Sequence, residues 1–120
     1  MGQVDLGRRR ILVVEDEYLL AADIVDQIED HNGIAVGPVV NLRDGLAALE
    51  AERPDACIVN IHLGPDVVYE LADRLMEQQV PFVFASSETR AAIPDRFKSV
   101  PLHSKPIDMI KAASGLINQD

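Results

Sequence analysis

The chain has 120 residues, which suits one domain large enough to bury a core without disulfides or metals. Its formal net charge of −9, from 20 acidic and 11 basic side chains, would repel a nucleic-acid backbone and argues against DNA or RNA binding. No apolar run approaches the ~20 residues a membrane helix requires, and the N-terminus lacks a signal-peptide apolar region, so a cytoplasmic location away from membranes is expected.

Residues 1–9 read as a flexible N-terminal arm, solvated and leading into three arginines, with one domain over 10–120. Ile11-Leu12-Val13-Val14 is a short apolar strand that ends in Glu15-Asp16-Glu17. Leu20, Ile24 and Ile28, with Ala21 and Val25, then repeat at helical spacing, and Gly33 is a plausible stop. Ile34 to Val40 makes a second strand, and Gly37-Pro38 within it argues for an edge position. Asn41 is a good helix N-cap, with Asp44 favouring the same helix start. Leu42, Leu46 and Leu49 form that helix's apolar face, up to Arg53-Pro54.

Ala56-Cys57-Ile58-Val59 follows as a strand of the kind buried on both faces. Cys57 reads as a small core residue, unable to form an internal disulfide because it is the single cysteine. Asn60 closes this strand, and a buried amide needs partners or a job. After the Gly64-Pro65-Asp66 turn, Val67, Leu71 and Leu75, with Val68, Ala72 and Met76, mark a third amphipathic helix. Phe82-Val83-Phe84-Ala85 is another buried strand, ending at Ser86-Ser87. Glu88 to Val100 is weakly patterned and Pro94 interrupts it, which predicts a short or irregular helix. Leu102-His103-Ser104 is a brief fifth strand before Lys105-Pro106. The last helix turns Met109, Ile110, Ala113, Leu116 and Ile117 inward. His31 and His103 read as surface residues.

Strands that are continuously apolar and alternate with helices predict an α/β fold, a parallel sheet covered on both sides. Glu15 and Asp16, Asn60, Ser86 and Ser87, and Lys105 each follow a strand. In open α/β sheets the ligand crevice lies outside the carboxyl ends of the strands, so acids, amide, hydroxyls and ammonium meet at one edge. Carboxylates and an amide oxygen suit Mg²⁺, while a lysine and a serine across the crevice suit a phosphoryl-like anion. No serine–histidine–acid arrangement and no glycine-rich phosphate loop is evident, so an enzyme is not expected.

In these stretches the sequence resembles the receiver domain of two-component response regulators. The likeness covers Arg10 to Ile117 and rests on Ile11-Leu12-Val13-Val14-Glu15-Asp16-Glu17, Pro54-Asp55, Leu63-Gly64, Pro81-Phe82-Val83-Phe84-Ala85-Ser86 and Lys105-Pro106. It is most similar to the small stand-alone receivers. The resemblance implies a flavodoxin-like, doubly wound sheet of five strands in the order 2-1-3-4-5, and phosphoryl transfer from a histidine kinase onto an aspartate. It implies that Glu15, Asp16, position 60 and the main-chain carbonyl of His62 hold Mg²⁺, that Ser86 and Ser87 lie at the switch position, and that Lys105 contacts the phosphoryl group. It also implies a cis Lys105-Pro106 bond.

One residue departs from that pattern: the phosphoacceptor position holds Asn60, whose neutral, delocalised amide cannot act as the carboxylate nucleophile. Three close carboxylates repel by roughly 1–4 kcal/mol per pair, depending on the dielectric, and replacing one by an amide relieves this. It also lowers the ligand charge available to a cation, so Mg²⁺ binding is expected to be weak or absent. Leu102 offers neither ring nor hydroxyl for an aromatic switch, and Glu88 adds negative charge near an anion's approach. The expectation is a phosphorylation-deficient receiver acting through contacts with a histidine kinase or other signalling protein, with dimerisation through the first or last helix left open. No output domain follows Asp120, so a signal is expected to leave by contact with another chain. The alternatives are a conventional Mg²⁺-dependent phospho-accepting receiver in which this copy carries a natural or engineered Asp-to-Asn change, and a small-ligand or metal module.

Overall fold

The computed structural model describes residues 4–117. Five parallel strands form one sheet: β1 (Arg10–Val14), β2 (Ile34–Val39), β3 (Ala56–Val59), β6 (Phe82–Ala85) and β7 (Leu102–His103). Their order is β2-β1-β3-β6-β7, so β6 and β7 take the fourth and fifth places of the expected order. β2 is at the edge, as Gly37-Pro38 led one to expect, and the bond between those two residues is cis. A two-residue antiparallel hairpin, β4 (His62–Leu63) and β5 (Asp66–Val67), follows β3.

Alternation within the strands divides the core in two. Leu12, Val14, Cys57, Val59, Phe82 and Phe84 face α2 (Leu42–Glu52) and α3 (Tyr69–Glu77), meeting Leu49, Leu71 and Leu75. Ile11, Val13, Ile58, Val83 and Ala85 face α1 (Tyr18–Asp30) and α4 (Met109–Leu116), meeting Ile24, Ile28, Ala112 and Leu116. This explains the unbroken apolar runs: every residue of β3 and β6 is buried, whichever face it points to.

Asn41 caps α2 as expected, its side-chain oxygen accepting the Asp44 N–H at 2.7 Å. Four expectations for helix faces need correction. Val67 lies outside α3, paired with His62 in the hairpin and 43% exposed. Met76 turns outward on α3. On α4 the buried stripe is Met109, Ala112, Ala113 and Leu116, and Ile110 falls off that face, 50% exposed. Ile117 lies beyond the last turn of α4, where it is partly buried.

The weakly patterned segment contains two single 3₁₀ turns, Arg90–Ala92 and Asp95–Phe97, on either side of Pro94. The Arg90 guanidinium spans them, donating to the carbonyls of Phe97 (3.2 Å) and Val100 (2.6 Å). Phe97 stacks on Tyr69 and meets Phe84 edge-on, which anchors the segment to the core.

The loose arm expected over 1–9 is corrected for the described residues. Leu6 is fully buried against the α1 face of the core, with Val4 packed beside it. The N–H groups of Leu6 and Arg8 donate to the carbonyls of His31 and Asn32, so the segment is tied to the α1–β2 turn. Residues 1–3 lie outside the described residues. His31 and His103 are partly buried rather than on the surface, and burial lowers the His103 pKa.

Candidate functional site

Each strand that leads to the candidate site ends with its polar residue at the same edge of the sheet. β1 delivers Glu15, Asp16 and Glu17; β3 delivers Asn60; β6 delivers Ser86 and Ser87; β7 leads to Lys105. The parallel register fixes this, since Val14 lies beside Val59 and Val59 beside Phe84. The Asn60 N–H donates to the Val14 carbonyl at 2.9 Å, which locks the amide residue against the end of β1.

Asn60 is 5% exposed and its side-chain NH₂ is engaged by three acceptors. Nδ2 donates to the His62 carbonyl at 2.8 Å, to Glu15 Oε2 at 3.2 Å and to Asp16 Oδ1 at 3.3 Å. Two amide hydrogens serve three acceptors, so they are shared. The orientation is dictated by the surroundings: turned the other way, the amide oxygen would face two carboxylates and a carbonyl.

The three acids are close enough for one carboxylate oxygen of each to lie within 4.8 Å of the others. Glu15 is the buried member, 1% exposed, and desolvation raises its pKa, opposed by the Glu17 N–H and by Lys105. Its Oε2 accepts the Glu17 N–H at 3.0 Å. Its Oε1 has no hydrogen-bond partner among the described residues and faces the Lys105 ammonium at 3.5 Å. Asp16 is exposed and accepts the Gly64 N–H at 2.9 Å, which ties the loop after β4 to the crevice. Gly64 has φ +60°, the left-handed conformation that glycine adopts without strain.

Lys105 carries the positive charge. Its Nζ lies 3.0 Å from Glu17 Oε2 as well as near Glu15, and its side chain is 16% exposed. Glu17 was not singled out from the sequence as part of this pairing, and nothing in the local pattern marks it. The Lys105–Pro106 bond is cis, as the resemblance implied. Ser86 is buried at the end of β6, its Oγ accepting the Glu88 N–H at 3.1 Å, and Ser87 is exposed. Glu88 reaches across to the His62 imidazole, Nε2 to Oε2, joining the loops after β3 and β6. The position of Glu88 was anticipated near the crevice; its partner was not.

The donor chemistry of Glu15, Asp16 and the His62 carbonyl, all oxygens, is that of a hard divalent cation site. Their arrangement fits one poorly. The oxygens that would face the ion accept hydrogen bonds from Asn60 Nδ2, and a fixed ammonium lies beside them.

The sequence matches no protein-family model and no curated protein. Solved structures do match. The BeF3-activated conformation of SdrG from Pseudomonas melonis Fr1 is 32% identical, with a TM-score of 0.77 over 91% of this chain and 96% of that one. SdrG from Sphingomonas melonis Fr1 is 31% identical, with a TM-score of 0.78 over 97% and 98%. The signal receiver domain of a modulated diguanylate cyclase from Desulfovibrio desulfuricans G20 is 28% identical, with a TM-score of 0.77 over 89% of each chain. The fold and the strand-end crevice define a flavodoxin-like receiver. With this identity over nearly the full length of SdrG, the chain belongs to the response-regulator receiver domains.

Proposed function

We propose that this receiver takes no phosphoryl group at residue 60 and passes signals through contact with other signalling proteins, a histidine kinase among them. The observation that carries this is Asn60, at the end of β3 where the family's aspartate would stand. Transfer would need an anionic oxygen there, and an amide has none. Two further features support the reading. Lys105, which the resemblance assigns to the phosphoryl group, is held by Glu17 and Glu15. Tyr18 and Leu19, at the start of α1 just beyond the acidic run, are 82% and 78% exposed. They offer adjoining apolar side chains beside the crevice for a partner to cover. No helix among the described residues is long and apolar enough to cross a membrane.

Incubation of the protein with acetyl phosphate and Mg²⁺, followed by intact mass measurement, tests this. The expected result is no added phosphoryl group on the wild type. A phosphorylated wild type would overturn the proposal. The other reading, a conventional receiver carrying an Asp-to-Asn change, is favoured by the retention of Glu15, Asp16, Ser86 and Lys105 at the strand ends. Rapid labelling of Asn60→Asp would support that second reading.

A further inference from the structure

Three oxygens that the family resemblance assigns to a divalent cation converge here on one atom. Glu15 Oε2, Asp16 Oδ1 and the His62 carbonyl all accept from Asn60 Nδ2, at 3.2, 3.3 and 2.8 Å. A bound Mg²⁺ needs such oxygens at about 2.0–2.1 Å with their lone pairs directed at it. In this crevice the lone pairs are directed at amide hydrogens instead. Rotating the amide would present its oxygen to an ion, but as a neutral ligand and with three hydrogen bonds given up. The ammonium of Lys105 adds a second obstacle. It stands 3.5 Å from Glu15 Oε1 and 3.0 Å from Glu17 Oε2, so the buried acid already has a cationic neighbour.

We propose that Asn60 Nδ2, as a hydrogen-bond donor, and Lys105 Nζ, as a positive charge, together take the place of the divalent cation in the crevice. This rests on reading residue 60 as the family's phosphoacceptor position. The amide joins the ends of β1 and β3 to the loop at His62, the linkage a shared metal would make. Asp16 extends it through the Gly64 N–H, and the His62 side chain extends it through Glu88 to the loop after β6. The strand-end loops therefore hold one arrangement whether or not divalent ions are present. Of the two obstacles the donor at residue 60 is the decisive one, because Asp16 and Glu15 retain the charge to attract an ion.

The experiment is titration of Mn²⁺ alone, read from the loss of the free aqueous ion's electron paramagnetic resonance signal, on the full chain and on Asn60→Asp. Affinity for Mn²⁺ is expected to be at least about tenfold higher in Asn60→Asp, where a third carboxylate replaces the donor. Equal affinity in the two proteins overturns the proposal, whether both bind or neither does. Should Asn60→Asp fail to fold, the wild type alone decides. Its Asn60 side-chain NH₂ resonances in ¹⁵N spectra are expected to stay unmoved up to ~10 mM Mg²⁺, a concentration that would populate a site of millimolar affinity. A saturating shift of those resonances overturns the proposal. Neither measurement uses a phosphodonor, so failure here is distinct from phosphorylation of the wild type, which would count against the proposed function instead.

Discussion

Burial separates Glu15 from its two acidic neighbours: it is 1% exposed, while Asp16 and Glu17 lie in solvent. Desolvation raises its pKa above the ordinary 4.5, so the folded protein holds this proton more tightly than the unfolded chain does. Stability contributed by that difference is present below the ordinary value and is lost as pH rises through the folded one. Glu15→Gln cannot ionise and is expected to lack this slope. The urea midpoints of the two proteins, compared from pH 4.5 to neutrality, should diverge in favour of the variant as pH rises. His103, whose pKa is lowered from 6.5 by burial, opposes the slope but is common to both proteins. An unchanged difference across that range would show that Lys105 fully compensates the buried charge. That Glu15, Asp16, Asn60 and Lys105 meet at one edge could be read from the sequence, because a polar residue directly after an apolar strand has few places to go. Their pairing could not. Lys105 meets Glu17 across 88 positions and His62 meets Glu88 across 26, and these contacts depend on side-chain directions that no periodicity encodes.

Elements with a strong apolar signature were legible. β1, β3 and β6 are buried on both faces, and their composition admits little else. The β4–β5 hairpin was not anticipated, since two-residue strands carry no period, and Val67 was therefore given to the following helix. Ile110 misled for a related reason: one apolar residue 100° off a stripe looks like part of it. The segment before β1 shows the same limit most clearly. A polar, arginine-rich stretch hides one anchoring leucine. Leu6 is fully buried, in a site where even a Cβ on Gly33 would meet its Cδ1 at 2.9 Å. Packing that tight predicts that Leu6→Ala leaves a cavity and costs about 2–4 kcal/mol. A lower urea midpoint with an unchanged m-value would register it. A loss below about 0.5 kcal/mol, the usual range for surface substitutions, would mean the segment is not docked in solution.

At the scale of the molecule, charge is the dominant asymmetry. The 20 acidic side chains outnumber the 11 basic ones, and several of the basic groups are already committed: Arg10 to Glu52, Arg96 to Asp73, Lys105 to Glu17. The surplus is spread over a fold that concentrates like charge by compaction, so self-repulsion weakens the folded state at low ionic strength. Exposed pairs contribute little against this, because solvent screens them as well. Raising NaCl from ~10 to ~150 mM shortens the Debye length from about 30 to 8 Å, which should relieve repulsion on the order of 1 kcal/mol and raise the melting midpoint by about 4 °C. The rise should not depend on which monovalent cation is supplied, since screening needs no site. Glu77→Lys separates this account from a local one. Glu77 is exposed in the last turn of α3, where a cation also suits the helix dipole. Losing one acidic group and gaining one basic group takes the net charge from −9 to −7, so the salt-induced rise should shrink in the variant. If the variant's midpoint climbs with NaCl as steeply as the wild type's, the salt effect belongs to the crevice acids and not to the charge of the whole molecule.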